Sequence, residues 1–448
     1  MNVSSRMPGT VETGARVGLG RRLAQIRESR LVRQNLTLFV GGLVAGIGGF
    51  VYHAIAGRVL GPATYGQVAF LIAIYSVGTA PALILIVVLA RYTATLVAQG
   101  HAGVRTLLTR TMRLVAIPGL LLVLVTTLIA RPVADFEHLG SGLPVLILGF
   151  SIALIWQVAI PRGILQGLQR FTALALNLGL ELIVRTSVVF GLLIAGYAVS
   201  GAMAAVFTGL AFCFALGLFS LRDHFGKSGT TRVPLRAMFG FSLTAAAGII
   251  GIQILYNQDV ILAEHFLGGH AGGIYGGLNK IGTIMFFLTL SVSQVLFPRV
   301  VEAVAKEQHP GRILAQSAGI LTVLGAGALF VFAVVPGLVV GILFGPSFRD
   351  ATPYVLAVGG IGLALSLDNL LVQFFMAVHD RLFVPILAAA CIAEAALIVL
   401  FHAGVGQIVA DVLVSLLGLL ALLAIRCWFL LPTLRAESLG EPEPALNN

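Results

Sequence analysis

Between residues 35 and 431 the chain passes through a succession of apolar segments, almost free of charge and each near the roughly 20 residues that a helix needs to cross a bilayer. Twelve spans are read, near 35–57, 68–90, 111–130, 143–161, 174–196, 198–221, 237–260, 273–298, 313–340, 351–378, 382–402 and 407–431. Charged residues make up 10% of the chain, against roughly 25% in soluble proteins, so lipid is the medium that accepts this surface. The predicted fold is an all-α integral membrane bundle.

Cations set the orientation. With the N-terminus taken as cytoplasmic, 23 of the 28 Lys and Arg fall on the inner side, in the N-terminal segment, the inner loops and the C-terminal end. Arg58, Arg131 and Arg349 fall outside, and Arg185 and Lys280 within the membrane. Both termini are therefore expected in the cytoplasm and the protein in the cytoplasmic membrane. The net charge of +10 expresses this asymmetry and points to an anionic inner leaflet, not to nucleic acid. The expected layout is a basic N-terminal segment (1–34), a first six-helix half (35–221), a cytoplasmic linker (222–236), a second six-helix half (237–431) and a tail (432–448) that looks disordered. Residues 18–33 set Leu19, Leu23 and Ile26 among arginines. They are either an amphipathic helix on the inner surface or a disordered tail whose arginines only set topology. No cleavable signal peptide is read, since the first apolar run starts after residue 34 and is long enough to span.

One stretch occurs twice. Leu60-Gly61-Pro62-Ala63-Thr64-Tyr65-Gly66-Gln67 returns about 210 residues later as Leu267-Gly268-Gly269-His270-Ala271-Gly272-Gly273-Ile274-Tyr275-Gly276. Arg91 closes the segment after the first copy, as Pro298-Arg299 closes the one after the second. The run Gln166 to Phe171 is answered more loosely by Met376 to Phe383. Three matches at one spacing and in one order point to a duplication, a form of symmetry typical of transporters. Glycine permits tight outer turns after spans 1 and 7, and the tyrosine rings are expected at the headgroup boundary.

Polar residues inside the spans are the candidates for function, because a charge in hydrocarbon is costly and normally faces the bundle interior. Span 1 carries a small-residue stripe, Gly42, Gly46, Gly49, His53 and Gly57, in which His53 is read as a packing or interfacial residue rather than a proton carrier. Span 5 aligns Asn177, Glu181 and Arg185 on one face. Glu181 and Arg185 are either a self-neutralising pair or a group that handles substrate or protons. Span 8 sets Gly276, Lys280, Thr283, Phe287, Ser291, Gln294 and Pro298 in a stripe along the helix, a wall toward water or substrate. Span 7 brings Asp259 to about the depth of Lys280, so a salt bridge is the plain reading of both. Span 10 holds Asp368, span 11 an isolated Glu394 near mid-membrane, and Asp411 is expected at the interface.

No hydrolase, kinase or metal motif is present, no P-loop couples ATP, and no cofactor is implied. Cys213, Cys391 and Cys427 all lie in spans and read as small buried hydrophobes. Asp135-Phe136-Glu137 forms an acid-x-acid pair of the kind membrane glycosyltransferases use in outer loops. Here the loop is only about a dozen residues, with no extracytoplasmic domain to hold an acceptor.

Leu60-Gly61-Pro62-x-x-Tyr65-Gly66, Asp259, Leu267-Gly268 through Tyr275, Phe297-Pro298 and Phe344-Gly345-x-x-Phe348 with Ala351 resemble, in this order, the motifs of polysaccharide-biosynthesis membrane proteins. These are lipid-linked oligosaccharide flippases, in the superfamily that includes the multidrug and toxic-compound extrusion antiporters and the lipid II flippases. The resemblance covers nearly all of residues 35–431. It implies two six-helix halves in a V around a central cavity, moving an undecaprenyl-diphosphate-linked sugar from inner to outer leaflet by alternating access. Membrane lipids, a polysaccharide polymerase and glycosyltransferases would be its partners. Each half has an even number of spans, so the pseudo-twofold lies along the membrane normal. A diphosphate in a low-dielectric medium needs positive charge on its path. The candidates are Lys280 and Arg185 within the membrane, Arg91, Arg162 and Arg299 at inner helix ends, and Gln294 on the polar stripe. Arg185 has Glu181 one turn away, which makes Lys280 the more available cation. Glu181, Asp259, Asp368 and Glu394 are the candidate coupling acids. The runner-up is a cation-coupled efflux antiporter for small amphipathic molecules, using the same acids.

Overall fold

The computed structural model describes residues 46, 48–98, 103–224, 243–305 and 310–439, and every regular element among them is helical. The amphipathic reading of residues 18–33 and most of the expected linker lie outside the described residues. Among the described residues, ten helical segments are long and apolar enough to cross a membrane. One of them, Gly48–Ala98, runs 51 residues. At 1.5 Å per residue that is roughly 75 Å, enough for two crossings of a core about 30 Å thick. It is divided at Gly61, whose φ of +70° glycine takes without strain, and Pro62 then opens the second run with its φ already suited to a helix. The helix Gly269–Ala305, 37 residues long, stands outside those ten. With both taken into account the apolar segments make twelve crossings, as the sequence predicts.

The first half comprises α1 (residues 48–78), α2 (Ala80–Ala98), α3 (Val104–Phe136), α4 (Leu143–Gly167), α5 (Phe171–Ile194) and α6 (Ala198–Ser220). The second comprises α7 (Leu243–Leu255), α8 (Gln258–Leu267), α9 (Gly269–Ala305), α10 (Gly311–Val334), α11 (Pro336–Leu343), a 3-10 turn (Pro346–Tyr354), α12 (Val355–Ala377), α13 (Phe383–Leu400) and α14 (Val405–Leu439). Helix α4 packs against α2, α3 and α6, and α12 against α9, α10 and α14. The outward faces of α3 and α10 carry Ile117, Leu120, Leu128, Val323 and Phe330, each at least 70% exposed, a surface that only lipid would cover without penalty.

The duplication is visible in packing as well as in sequence. The most apolar stretches of α3, α4, α5 and α6 are 17%, 56%, 33% and 44% buried, and those of α10, α12 (taken with the 3-10 turn before it), α13 and α14 are 17%, 67%, 28% and 44%. The corners after α4 and α12 share one backbone motif 210 residues apart. Arg170 N–H donates to Leu165 C=O as Asp380 N–H donates to Phe375 C=O. Between them, Gln169 (φ +57°) and His379 (φ +59°) both occupy the left-handed region. Each corner is tied to the last helix of its half by an Arg–Asp pair, with the charges exchanged. Arg170 binds Asp223, just beyond α6, while Asp380 accepts from Arg426 of α14 at 3.0 and 3.1 Å. Beside Arg170, the Asp223 carboxyl is held well below the usual range.

Candidate functional site

The two copies of the Leu-Gly…Tyr-Gly turn meet face to face. A Cβ on Gly66 would come within 2.8 Å of Gly273 N, one on Gly276 within 2.8 Å of the Ala69 Cβ, and one on Gly273 would overlap the Pro62 carbonyl oxygen. Backbone therefore approaches backbone across the two halves, which side chains at these positions would prevent. Tyr65 and Tyr275 are 0% and 2% exposed, so their rings belong to the core and not to a headgroup boundary. Each hydroxyl reaches a polar residue that precedes its own turn: Tyr65 Oη pairs with His53 Nδ1, before Gly61, at 3.0 Å, and Tyr275 Oη donates to Asp259 Oδ2 of α8 at 2.7 Å. His53 is thus a partnered packing residue.

A third turn closes the same seam. Phe344 and Phe348 place their rings 5.4 and 5.7 Å from that of Tyr65, with Gly345 (φ +82°) making the bend between them. Arg58, which sequence reading treated only as an outer cation, caps the C-terminus of α11. Its Nη2 donates to the carbonyls of Gly341 and Ile342 and its Nε to that of Leu343, where unpaired helix carbonyls favour a cation. Deeper in the contact between halves, Gln253 Nε2 donates to Ser76 C=O at 2.9 Å.

Below the seam lie Arg185 from the first half and Lys280 from the second. The Arg185 guanidinium sits 4.1 Å over the Tyr52 ring, with its Nε buried and without a hydrogen-bond partner, and Lys280 Nζ lies 5.8 Å over the ring of Tyr256. Both charges act on His53 and on each other. Neither forms an ion pair among the described residues. The expected Asp259–Lys280 bridge is not made: Asp259 Oδ2 takes its hydrogen bonds from Tyr275 and from Asn279 Nδ2 at 3.0 Å instead. Along the α9 stripe, Lys280 and Thr283 are buried and Phe287 is half-exposed against Phe50. The side chains of Ser291, Gln294 and Pro298 lie outside the described residues.

Span 5 corrects the sequence reading more sharply. Glu181 does not pair with Arg185 one turn away; it pairs with Arg162 of α4. Arg162 Nε also donates to Asn177 Oδ1 at 2.8 Å, and Asn177 Nδ2 donates to Cys213 C=O at 2.8 Å. Arg162 is 6% exposed and committed to this network, so it is not a surface residue that first meets a headgroup. Arg185 is released by the same exchange, so it is no longer less available than Lys280. Arg91 and Arg299 are exposed on α2 and α9, as the sequence leads one to expect.

The remaining acids gather in the second half. Asp259, Asp368 and Glu394 are 3%, 0% and 0% exposed and within electrostatic reach of one another. Asp411, expected at the interface, joins them at 6% exposure. Gln258 Nε2 donates to Glu394 Oε1 at 3.1 Å and Gln407 Nε2 to Asp411 Oδ1 at 2.9 Å, while both Asp368 oxygens have no partner among the described residues. A cavity of about 20 Å³, lined by Asp259, Tyr275, Asn279 and Thr283, offers room for about one water. No three His, Cys, Asp or Glu side chains among the described residues are placed to hold a metal ion. The arrangement suits mobile protons spread over several carboxyls. Glu181 lies apart from it, in the first half.

The outer-loop acids do not converge. Asp135 is exposed, 3.9 Å from Arg131, whereas Glu137 is buried with Oε1 3.4 Å from His265 Nδ1. Burial pushes the Glu137 carboxyl up, against the pull of His265 and His138.

The profile of the polysaccharide biosynthesis protein family matches residues 31–304, more than half of the chain. No curated protein is significantly similar in sequence. Among solved structures, an inward-facing multidrug-resistance MATE family transporter of the MOP superfamily superposes with a TM-score of 0.70 at 13% identity, over 86% of this chain and 95% of that one. An outward-facing MATE family transporter gives 0.64 at 14% identity, over 90% and 96%. A MOP superfamily transporter from Pyrococcus furiosus, described as having a binding pocket of reverse polarity, gives 0.67 at 14% identity, over 90% and 96%. At these identities the likeness is one of fold, twelve helices in two halves.

Proposed function

We propose that this chain, which belongs to the polysaccharide biosynthesis protein family, is a multi-pass transporter of the MOP type that works by alternating access and carries a polyprenyl-diphosphate-linked oligosaccharide from the inner to the outer leaflet of the cytoplasmic membrane. One observation carries this reading: Arg185 and Lys280, one from each half, lie beneath the closed seam within electrostatic reach of each other, neither in an ion pair among the described residues and with Asp259 acting on Lys280 only from a distance. Two cations facing a single carboxylate that already takes its hydrogen bonds elsewhere are costly inside a bilayer unless a further anion visits them. A diphosphate supplies that anion, and its approach from either half would draw the halves together around it. With the termini in the cytoplasm, the closed seam would be the outer gate. The exposed Arg91 and Arg299 meet the headgroup first, and the cations below the seam receive it next. The carboxyl cluster of the second half supplies coupling protons. Polysaccharide polymerase and glycosyltransferases would act on either side of the step.

A charge-assisted hydrogen bond to phosphate contributes about 1.5–3 kcal/mol, so Lys280→Ala should slow flipping by roughly tenfold or more. Lys280→Arg should keep most of the activity, because charge and not shape is needed. The test is a leaflet-sidedness assay of a fluorescent polyprenyl-diphosphate glycan in proteoliposomes. Wild-type flipping by folded Lys280→Ala would overturn the assignment. A cation-coupled efflux antiporter is the second reading, favoured by the four buried carboxyls. It is selected if a small amphipathic cation is exchanged for protons and the glycan is not moved.

A further inference from the structure

We propose that Glu137, Glu264 and His265 form a proton-binding site that latches the seam between the two halves, separate from the carboxyl cluster of α8, α12, α13 and α14. Glu137 closes α3 in the first half, and Glu264 and His265 lie in the last turn of α8 in the second. Phe136 stacks on the His265 ring, centroids 4.3 Å apart and planes 11° from parallel, which fixes the imidazole beside Glu137. Glu264 is 5% exposed and its Oε2, wedged between Gly66 and Gly272, has no partner among the described residues. The two carboxyls belong to opposite halves and lie within electrostatic reach of one another.

Two carboxylates of like charge buried in one site do not both ionise, and an unpartnered buried carboxylate is costly in its own right. The closed seam therefore holds at least one proton that water would remove. Opening the seam brings both groups into water, where glutamates ionise near pH 4, and a proton leaves as hydronium with no other bond broken. The sign follows from Glu137. Its carboxyl titrates higher in the closed seam than in water, so closure is favoured at low pH and lost as pH rises through the raised value. The other titratable or charged groups around the seam are His138 next to Glu137, His402 stacked on Phe266, the exposed His270–Asp350 and Arg131–Asp135 pairs, His53 on Tyr65, Asp259 on Tyr275, and Arg58 at the end of α11. None of them contacts the Glu264 carboxyl. Gly66 and Gly272 bring only backbone to it, so a proton is the one neutralising partner that fits.

The test uses the full chain in lipid nanodiscs, with the three native cysteines replaced and spin labels at Val59 and Leu338, exposed positions on opposite halves flanking the seam. Pulsed dipolar spectroscopy reads the closed, short-distance population between about pH 5 and pH 9, a range that brackets a raised glutamate and a histidine. The closed-to-open ratio of the unsubstituted chain should fall at least tenfold from the acid to the alkaline end. Glu137→Gln with Glu264→Gln, which keeps shape and removes titration, should stay closed throughout, whereas Asp135→Asn, at an exposed carboxyl two residues from Glu137, should keep the normal profile. If the double variant does not fold, Glu264→Gln alone should flatten the profile at least threefold. A pH response that survives these changes, that vanishes in Asp135→Asn instead, or that is absent at the outset overturns the proposal. Both faces of a nanodisc meet the same pH and no substrate is needed. Failure here therefore leaves the flippase reading standing, and failure of the flippase assay leaves this one standing.

Discussion

Replacing Arg162 tests which cation holds Glu181. Their side chains are 7% and 12% exposed, and Asn177 completes the network. Removing one member of a buried ion pair leaves the other uncompensated and costs about 3–5 kcal/mol, against about 0–1 kcal/mol for an exposed pair. Arg162→Gln and Glu181→Gln should each cost on the order of 3 kcal/mol, or roughly 6–12 °C of melting temperature for a unit the size of one half. The double variant should be no worse than either single one, because neither charge is then stranded. A double-mutant cycle read by thermal unfolding in detergent, with size exclusion as the folding check, gives the coupling. Glu181→Gln with Arg185→Gln should instead be additive to within about 0.5 kcal/mol. Coupling of Glu181 to Arg185, with Arg162→Gln nearly neutral, would refute the network and with it the release of Arg185.

Two further expectations follow from the packing. Gly273→Ala places a methyl group in the Pro62 carbonyl, so the seam labels should move to the long distance at every pH; an unchanged distance would show that the turns do not touch as described. Reversing the Arg170–Asp223 pair, by combining Arg170→Asp with Asp223→Arg, should recover whatever melting temperature each single change loses, since the other half already uses the reversed polarity. The depressed Asp223 carboxyl makes this pair's contribution constant above the ordinary aspartate pKa near 4 and lost only in stronger acid. Melting temperatures at pH 5 and 7 should therefore respond equally to Asp223→Asn.

Spans and duplication were legible because both are one-dimensional signals: run length against bilayer thickness, and a spacing of about 210. Partner choice was not. Helical spacing put Glu181 beside Arg185, yet Arg162 of α4 reaches the same carboxylate from across a helix contact that no spacing encodes. Asp259 and Lys280 were matched in depth, but Tyr275 and Asn279 rotate the carboxylate elsewhere. Tyrosine statistics place such rings at an interface, whereas close approach of the two glycine turns buries both. Glu137 was visible only as a loop acid. Its meeting with His265 needs the halves assembled, although a histidine one turn from the end of span 7 was the available hint.

The glycine seam also accounts for where the ancestral duplication can still be read. At the corners after α4 and α12 the copies stand apart, and they have kept a shared backbone while exchanging Arg170 for Asp380. Each corner has been free to drift so long as its own half still closed around it. The Tyr-Gly turns had no such freedom, because the surface each must fit is the other copy. A side chain acquired at Gly66 collides with Gly273, and one at Gly273 collides with Pro62, so neither turn changes without spoiling its twin. The repeat survives most fully in letters where the two copies touch, and mainly in shape at the corners, where they do not.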